Sequence, residues 1–366
     1  MRRIPVVMVT PDMKLARDVW GRNGMLLAKG TDKLMNYRDK LILNGIASLY
    51  VEDDLGEDIY DEEVVCEETR KRCIDLLSDT MEEARHTGAV DMDDIDSIIS
   101  SIIEDMLARP DMTLGLSDIM TSSSATLQHS IDATIYSLFL GKLVGLDDMQ
   151  LDIIGKGALL HDIGKIALDP NVLYKNGFLN CEERKYVECH AKWGYRMLEE
   201  EDWLESPARE IALLHHERMD GSGYPYGLKG KDIPFMARIV AIADVYDALT
   251  SERSYKPAMS NEKAINVLNE DAKNGKLDEK LVDKFVSRLA VYPNGIVVLL
   301  SSGEPAIVKA QNRNALRRPV VRIIDFKQRE AFVKRDCDLT EEWDIDIVKS
   351  DIKVNDLPDE IRCQFF

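Results

Sequence analysis

Five of the six histidines lie between residues 129 and 216, and two of them are neighbours: residues 213–230 read LLHHERMDGSGYPYGLKG. His161 is followed at once by Asp162 in the run IIGKGALLHDIGK, with Lys165 about one turn further on. Asp244 interrupts the strongly apolar run FMARIVAIADVYDALTS. A carboxylate there is costly to bury unpaired, so it calls for a cation or a hydrogen-bonding partner. Taken singly, most of these residues have a plain reading. His129 in SATLQHSIDATIYSLFL and His190 in ERKYVECHAKWGYRML default to structural helix positions, and one His-Asp dipeptide defaults to a polar helix end. His215 and His216 point about 100° apart if both are helical, so they share a metal only beside a terminating turn. The following ERMDGSGYP supplies such an ending. Together, five imidazoles and two carboxylates suffice for two cations, and this donor type suits iron, manganese or zinc better than calcium. Two cations a few ångströms apart, sharing a hydroxide, can attack phosphorus.

The elements that must position these residues follow from the pattern of apolar positions. From Ile119 to Ala290 the periodicity is helical, predicting helices over 122–145, 148–161, 180–200, 206–217, 234–250, 260–271 and 277–290. Residues 1–55 read as a small α/β or β-rich domain. It has short strands, a hairpin signal at Asn23-Gly24, a helix from an N-cap at Thr31 to a stop at Gly45, and a last strand at SLYVED. Residues 56–118 form an acidic helical connector, helical over 62–86 and 92–108 and broken at Arg109-Pro110-Asp111. Beyond VYPNG, residues 291–366 carry the β-type runs IVVLL, PAIVKA, PVVRIID and EAFV, a small β-rich appendage. The expected fold is multidomain and mainly α: a helical bundle at 119–290 with β-rich regions on either side.

The chain has 366 residues, 45% hydrophobic and 31% charged, with a net charge of −19. That balance argues against affinity for polymeric nucleic acid or anionic membranes, although a local cationic site can reverse the field for a small anion. No apolar run reaches the length of a membrane span. Six cysteines without C-x-x-C spacing read as the reduced thiols of a cytoplasmic protein.

His161-Asp162 with the distant Asp244 resembles the HD phosphohydrolase superfamily. The continuation HHERMDGSGYPYGLKGKDIP resembles its HD-GYP subfamily, bacterial phosphodiesterases acting on cyclic di-GMP. The likeness runs from about 119 to 290, through HDIGKIALDPNVLYKNGFLNCEERKYVECHAKWGYRML and ARIVAIADVYDALTSERSYK. It implies an all-helical bundle holding two divalent ions. His129, His161, Asp162 and Asp244 would hold one; His190, His215 and His216 would hold the other, with Asp162 bridging. Iron or manganese is the expected metal, and zinc, nickel or magnesium can replace it on purification. Asp162 and Lys165 carry the catalytic expectation, Lys165 at the scissile phosphate. Asp247, Arg253 and Lys256 fall where relatives contact guanine or phosphates, and Gly221, Gly223, Tyr224 and Pro225 form the loop that names the subfamily. The usual R-P-Y-K is here Arg253-Ser254-Tyr255-Lys256. Some relatives support a third metal with a glutamate one turn before the first histidine. Here that position is Ala125, which implies two ions and a linear pGpG product, with further cutting to GMP left open.

Two other functions compete. A cyclic-dinucleotide receptor with little turnover would signal through the flanking regions, which could also carry a homodimer contact or a signalling-protein partner. A phosphodiesterase for another cyclic dinucleotide, such as cyclic GMP-AMP, would keep the same ligands. Arg313 and Arg317 resemble half of another dinucleotide-binding signature whose second half is absent, and they read as surface charge.

Overall fold

The computed structural model describes residues 1–350 except 12, 17–18, 21–25, 28–33, 44–45, 47, 61–63, 110–113, 115–124, 174, 176, 252–258 and 328–329. The N-terminal region holds β1 (Arg2–Pro5), β2 (Lys14–Leu15), β3 (Val19–Trp20), β4 (Leu26–Leu27), the short helix α1 (Arg38–Leu43) and β5 (Ser48–Glu52). β5 is the centre of a three-stranded antiparallel sheet in the order β1-β5-β2. Its alternating apolar residues close a small core with Ile4, Leu15, Leu34, Leu41, Leu49 and Val51. β3 and β4 pair antiparallel, while the Asn23-Gly24 turn expected between them lies outside the described residues, as do Thr31 and Gly45.

The helices are α2 (Glu67–Thr87), α3 (Met92–Ala108), α4 (Ala125–Leu143), α5 (Asp148–Leu159), α6 (Pro170–Leu173), α7 (Cys181–Glu188), α8 (His190–Glu199), α9 (Ser206–Leu214), α10 (Phe235–Thr250), α11 (Asn261–Lys273) and α12 (Glu279–Val286). Local chemistry sets their starts. Asp147 and Asn180 form capping boxes with Gln150 and Glu183, and Asp91 accepts from two first-turn amides. One apolar core joins them, and α2 and α3 contribute to it through Ile74, Leu77, Ile95, Ile98 and Ile102. α2 and α3 of the acidic stretch are therefore built into the bundle on their apolar stripes, with most of their charges turned to water. Ile239, Ile242 and Tyr246 of α10 have no exposed surface, and burying each such side chain is worth about 1.5–3 kcal/mol. Among the described residues no helix is long and apolar enough to cross a membrane.

The C-terminal strands are β6 (Val297–Leu300), β7 (Pro305–Ala310), β8 (Val320–Lys327), β9 (Glu330–Asp338) and β10 (Ile347–Ser350), an antiparallel sheet in the order β10-β6-β7-β8-β9. β10 is an addition to the expected strands; its mostly exposed residues leave no buried alternation to read. Leu55 and Ile59, which follow β5, pack on Ile307 and Ile324 of this sheet. Arg322 fastens them there, pairing with Asp58 at 2.5 Å and donating to the Leu55 carbonyl at 3.0 Å. The two β-rich ends thus meet.

Candidate metal centre

Several helix ends converge where the chain leaves regular geometry. α5 stops at Leu159, so His161 and Asp162 sit in the turn before a 3-10 segment at 163–167. The helix expected over 180–200 breaks at Cys189, and His190 opens α8. α9 stops at Leu214, and His215, still helical in backbone conformation at its C-cap, and His216 stand on the terminating turn. His129 comes from α4 and Asp244 from α10. Gly164 lets two of these elements touch: a methyl group there would overlap the carbonyl oxygen of His190 and the amide of Gly194. Without a side chain at 164, α8 can lie directly on the turn that carries Asp162.

The seven ligand-type side chains form two groups, Asp162/His190/His215/His216 and His129/His161/Asp244, the donor atoms of each lying within 4.8 Å of one another. Asp162 stands between them. Its Oδ2 lies 3.4 Å from His161 Nε2 and 3.5 Å from His129 Nε2, and its Oδ1 lies 3.3 Å from His190 Nε2. His129 Nε2 is 3.2 Å from both His161 Nε2 and Asp244 Oδ1, and His216 Nδ1 is 3.6 Å from Asp244 Oδ2. Lys165 Nζ contacts Asp162 Oδ2 from the more open side.

The hydrogen bonds behind the rings show that this set fits cations. His161 Nδ1 lies 2.6 Å from the Ala158 carbonyl, His190 Nδ1 2.7 Å from Val187, and His215 Nδ1 3.0 Å from Ala212. A carbonyl can only accept, so each Nδ1 carries the proton and each Nε2 turns a lone pair inward. Inward lone pairs repel one another and the carboxylate they face. Asp162 Oδ1 is buried and has no hydrogen-bond donor. A divalent ion in each group resolves both conflicts. Burial pushes His190 below the usual imidazole range, and burial with the neighbouring imidazoles pushes His215 and His216 well below it, which keeps these donors neutral. Burial opposes ionisation of Asp162 and Asp244, yet Lys165 and His161 for one, and His129 and His216 for the other, hold both well below the carboxylate range.

His129 behaves differently. Burial would lower it, but Asp244 and Asp247 outweigh that and raise it to about 9. Asp247 is buried; its Oδ2 takes His129 Nδ1 at 2.6 Å and its Oδ1 accepts from the Ser251 hydroxyl at 2.9 Å. Both oxygens of this expected base contact are therefore engaged inside the protein. Arg253 and Lys256 lie outside the described residues.

The glycine-rich loop folds back against the histidine pair. A methyl group at Gly223 would overlap the His216 carbonyl and the Arg218 amide, so only glycine permits this approach. Gly221 has a φ of +84°, in the left-handed region. The Tyr224 ring lies 4.6 Å, centroid to centroid, from that of His216. Glu217 went unnoticed in the sequence, where it reads as one more charge after the histidines. It is buried and accepts from the amides of Tyr226 at 2.7 Å and Leu228 at 2.9 Å, pinning the loop beyond Pro225.

This helical architecture with its His/Asp groups defines an HD domain: residues 116–281 match the HD-domain family model. Over this stretch the chain carries an HD domain, and its Gly-Tyr-Pro loop is of the HD-GYP type. It is 33% identical to a cyclic di-GMP phosphodiesterase of Pseudomonas aeruginosa, over 74% of this chain and 64% of that protein. It is 45% identical to a cyclic di-GMP phosphodiesterase response regulator of Xanthomonas campestris, over 38% of this chain and 37% of the relative. A 3'3'-cGAMP-specific phosphodiesterase of Vibrio cholerae is 41% identical, over 38% of this chain and 27% of the relative. The chain thus spans less than two thirds of the length of each of these relatives.

Proposed function

We propose that this chain is a metal-dependent phosphodiesterase that opens cyclic di-GMP to linear pGpG and so lowers a bacterial second messenger in the cytoplasm. The observation that carries the reading is Asp162, whose two oxygens face two separate imidazole groups. Two divalent ions, iron or manganese for preference, would be held by His129, His161 and Asp244 on one side and by His190, His215 and His216 on the other, with Asp162 common to both. Such a pair supplies Lewis acidity toward a phosphoryl oxygen and lowers the pKa of water.

The chain's own residues do the rest. Lys165, already beside Asp162, is the cation within reach of a scissile phosphate and offsets charge growing on its oxygens. Asp162 and Asp244, held ionised, keep both donor groups anionic enough for divalent ions. Gly221, Gly223, Tyr224 and Pro225 shape the wall beside His216, and Arg253 and Lys256 are assigned to the second phosphate and a base. Asp247 backs His129 and, with Arg253 and Lys256, is also assigned to the guanine or phosphates. In a chain of net charge −19 these cations make the cleft locally attractive to a dianion.

A second reading keeps the site and changes the base: the relatives divide between cyclic di-GMP and cGAMP enzymes, so cyclic GMP-AMP is the alternative substrate. Protein loaded anaerobically with Fe(II) or Mn(II) should convert cyclic di-GMP to pGpG, and faster than it cuts 3'3'-cGAMP. His161→Ala and Asp162→Ala should lose both metal and turnover. Full turnover in those variants defeats the mechanism, and tight binding without turnover in metal-replete wild type makes the chain a receptor.

A further inference from the structure

Arg70 of α2 and Asp132 of α4 form an ion pair sealed inside the protein, with side-chain exposures of 5% and 7%. Asp132 lies one helical turn beyond His129, and Gln128, next to that histidine, donates to Asp132 Oδ2 at 2.7 Å. α2 also packs on the 3-10 segment that follows Asp162. One helix from outside the family match at 116–281 therefore touches the helix that carries His129 and the segment that directly follows His161 and Asp162.

A buried ion pair is poor support for stability as such, because apolar side chains of similar volume often replace it without loss. Its effect is on position. If α4 rolls or slides, both charges part in surroundings that do not tolerate an unpaired charge. We propose that Arg70 is a positioning residue for the His129–His161–Asp244 group, setting the roll of α4 that aims His129 Nε2 at Asp244 and His161. The inference rests on the two-ion reading above, and it makes α2 part of the site's scaffold.

The test reads metal content and affinity with Mn(II), well below each variant's unfolding temperature. Arg70→Lys keeps the charge but loses the planar fork. It should retain two ions but hold one of them about tenfold more weakly, the scale on which supports behind metal ligands act. Arg70→Met should hold one ion, and Arg70→Met combined with His190→Ala should hold none. Arg70→Met/Asp132→Leu should recover both ions. Two ions at wild-type affinity in Arg70→Lys and Arg70→Met overturns the proposal, and so does equal weakening of both ions. If Arg70→Met does not fold, Arg70→Lys decides on the same criteria, and an apolar double variant that folds yet fails to recover both ions overturns the proposal. A wild-type chain that takes up fewer than two ions overturns the two-ion reading itself, and this inference with it.

Discussion

Asp247 Oδ2 lies 2.6 Å from His129 Nδ1, while Asp244, one turn earlier on α10, faces the other nitrogen of the same ring at 3.2 Å. Two carboxylates three residues apart share a helix face, so one helix grips both edges of one imidazole. Asp247→Asn keeps the shape and removes the charge. It should weaken metal binding or turnover by about 10–100-fold while the fold persists. A metal titration beside a circular dichroism melt checks this; wild-type affinity in the variant would remove Asp247 from the site.

The two groups should load with different proton release. His129, raised to about 9, carries a proton at neutral pH that an incoming cation must displace. Affinity at its group should therefore climb with pH up to about 9. His190, His215 and His216 are depressed and already neutral, so their group should show little pH dependence near neutrality. Calorimetry in two buffers of different ionisation enthalpy should find about one proton released with one ion and close to none with the other.

The metal-free fold should respond to pH in the same terms. The depressed histidines are neutral in both states well above 6.5 and oppose folding increasingly as pH falls below it, because the unfolded chain then takes up protons that the folded one does not. The raised His129 contributes fully below 6.5 and loses its contribution as pH climbs through about 9. Melting temperatures of chelated protein from pH 5 to 10 should therefore fall at both ends.

Gly164→Ala should push α8 off the turn that carries Asp162, since the new methyl group meets the His190 carbonyl. Overpacking of this kind costs about 1–3 kcal/mol. The displaced His190 should also cost the chain an ion, so the melting temperature and the metal content are expected to drop together. A variant that is less stable but still holds two ions would show that the close approach serves packing alone.

Glu217→Ala removes the acceptor of two loop amides. A hydrogen bond to a charged acceptor contributes about 1.5–3 kcal/mol, and less here because both bonds are only part-buried and water can reach the freed amides. The loop beyond Pro225 should exchange its amide hydrogens faster, at Tyr226 and Leu228 first, and substrate KM should rise more than kcat falls. Unchanged exchange at these two amides would count against the pinning role.

The seven ligand-type residues were legible because histidines and apolar-flanked carboxylates are conspicuous, and the structure gathers all seven. The helices around them followed from period and caps, as Asp147 and Asn180 illustrate. The break at Cys189 was not legible, because 180–200 keeps one amphipathic stripe across it. Asp247 was singled out only through the resemblance, as a contact to guanine or phosphates, and only the fold shows His129 opposite it. Glu217 and Arg70 gave no signal, since what defines them is burial against chain distant in sequence.

Arg322 and the contacts of Leu55 and Ile59 carry a consequence for how the molecule can be taken apart. The two β-rich ends are separated by more than two hundred residues in the chain, yet each covers apolar surface of the other. Deleting the C-terminal sheet would uncover Leu55 and Ile59 and strand Asp58 without its guanidinium. A truncation meant to silence one end would disturb both, so the ends behave as a single handle on the bundle, and point changes at Asp58 or Arg322 are the cleaner way to loosen it.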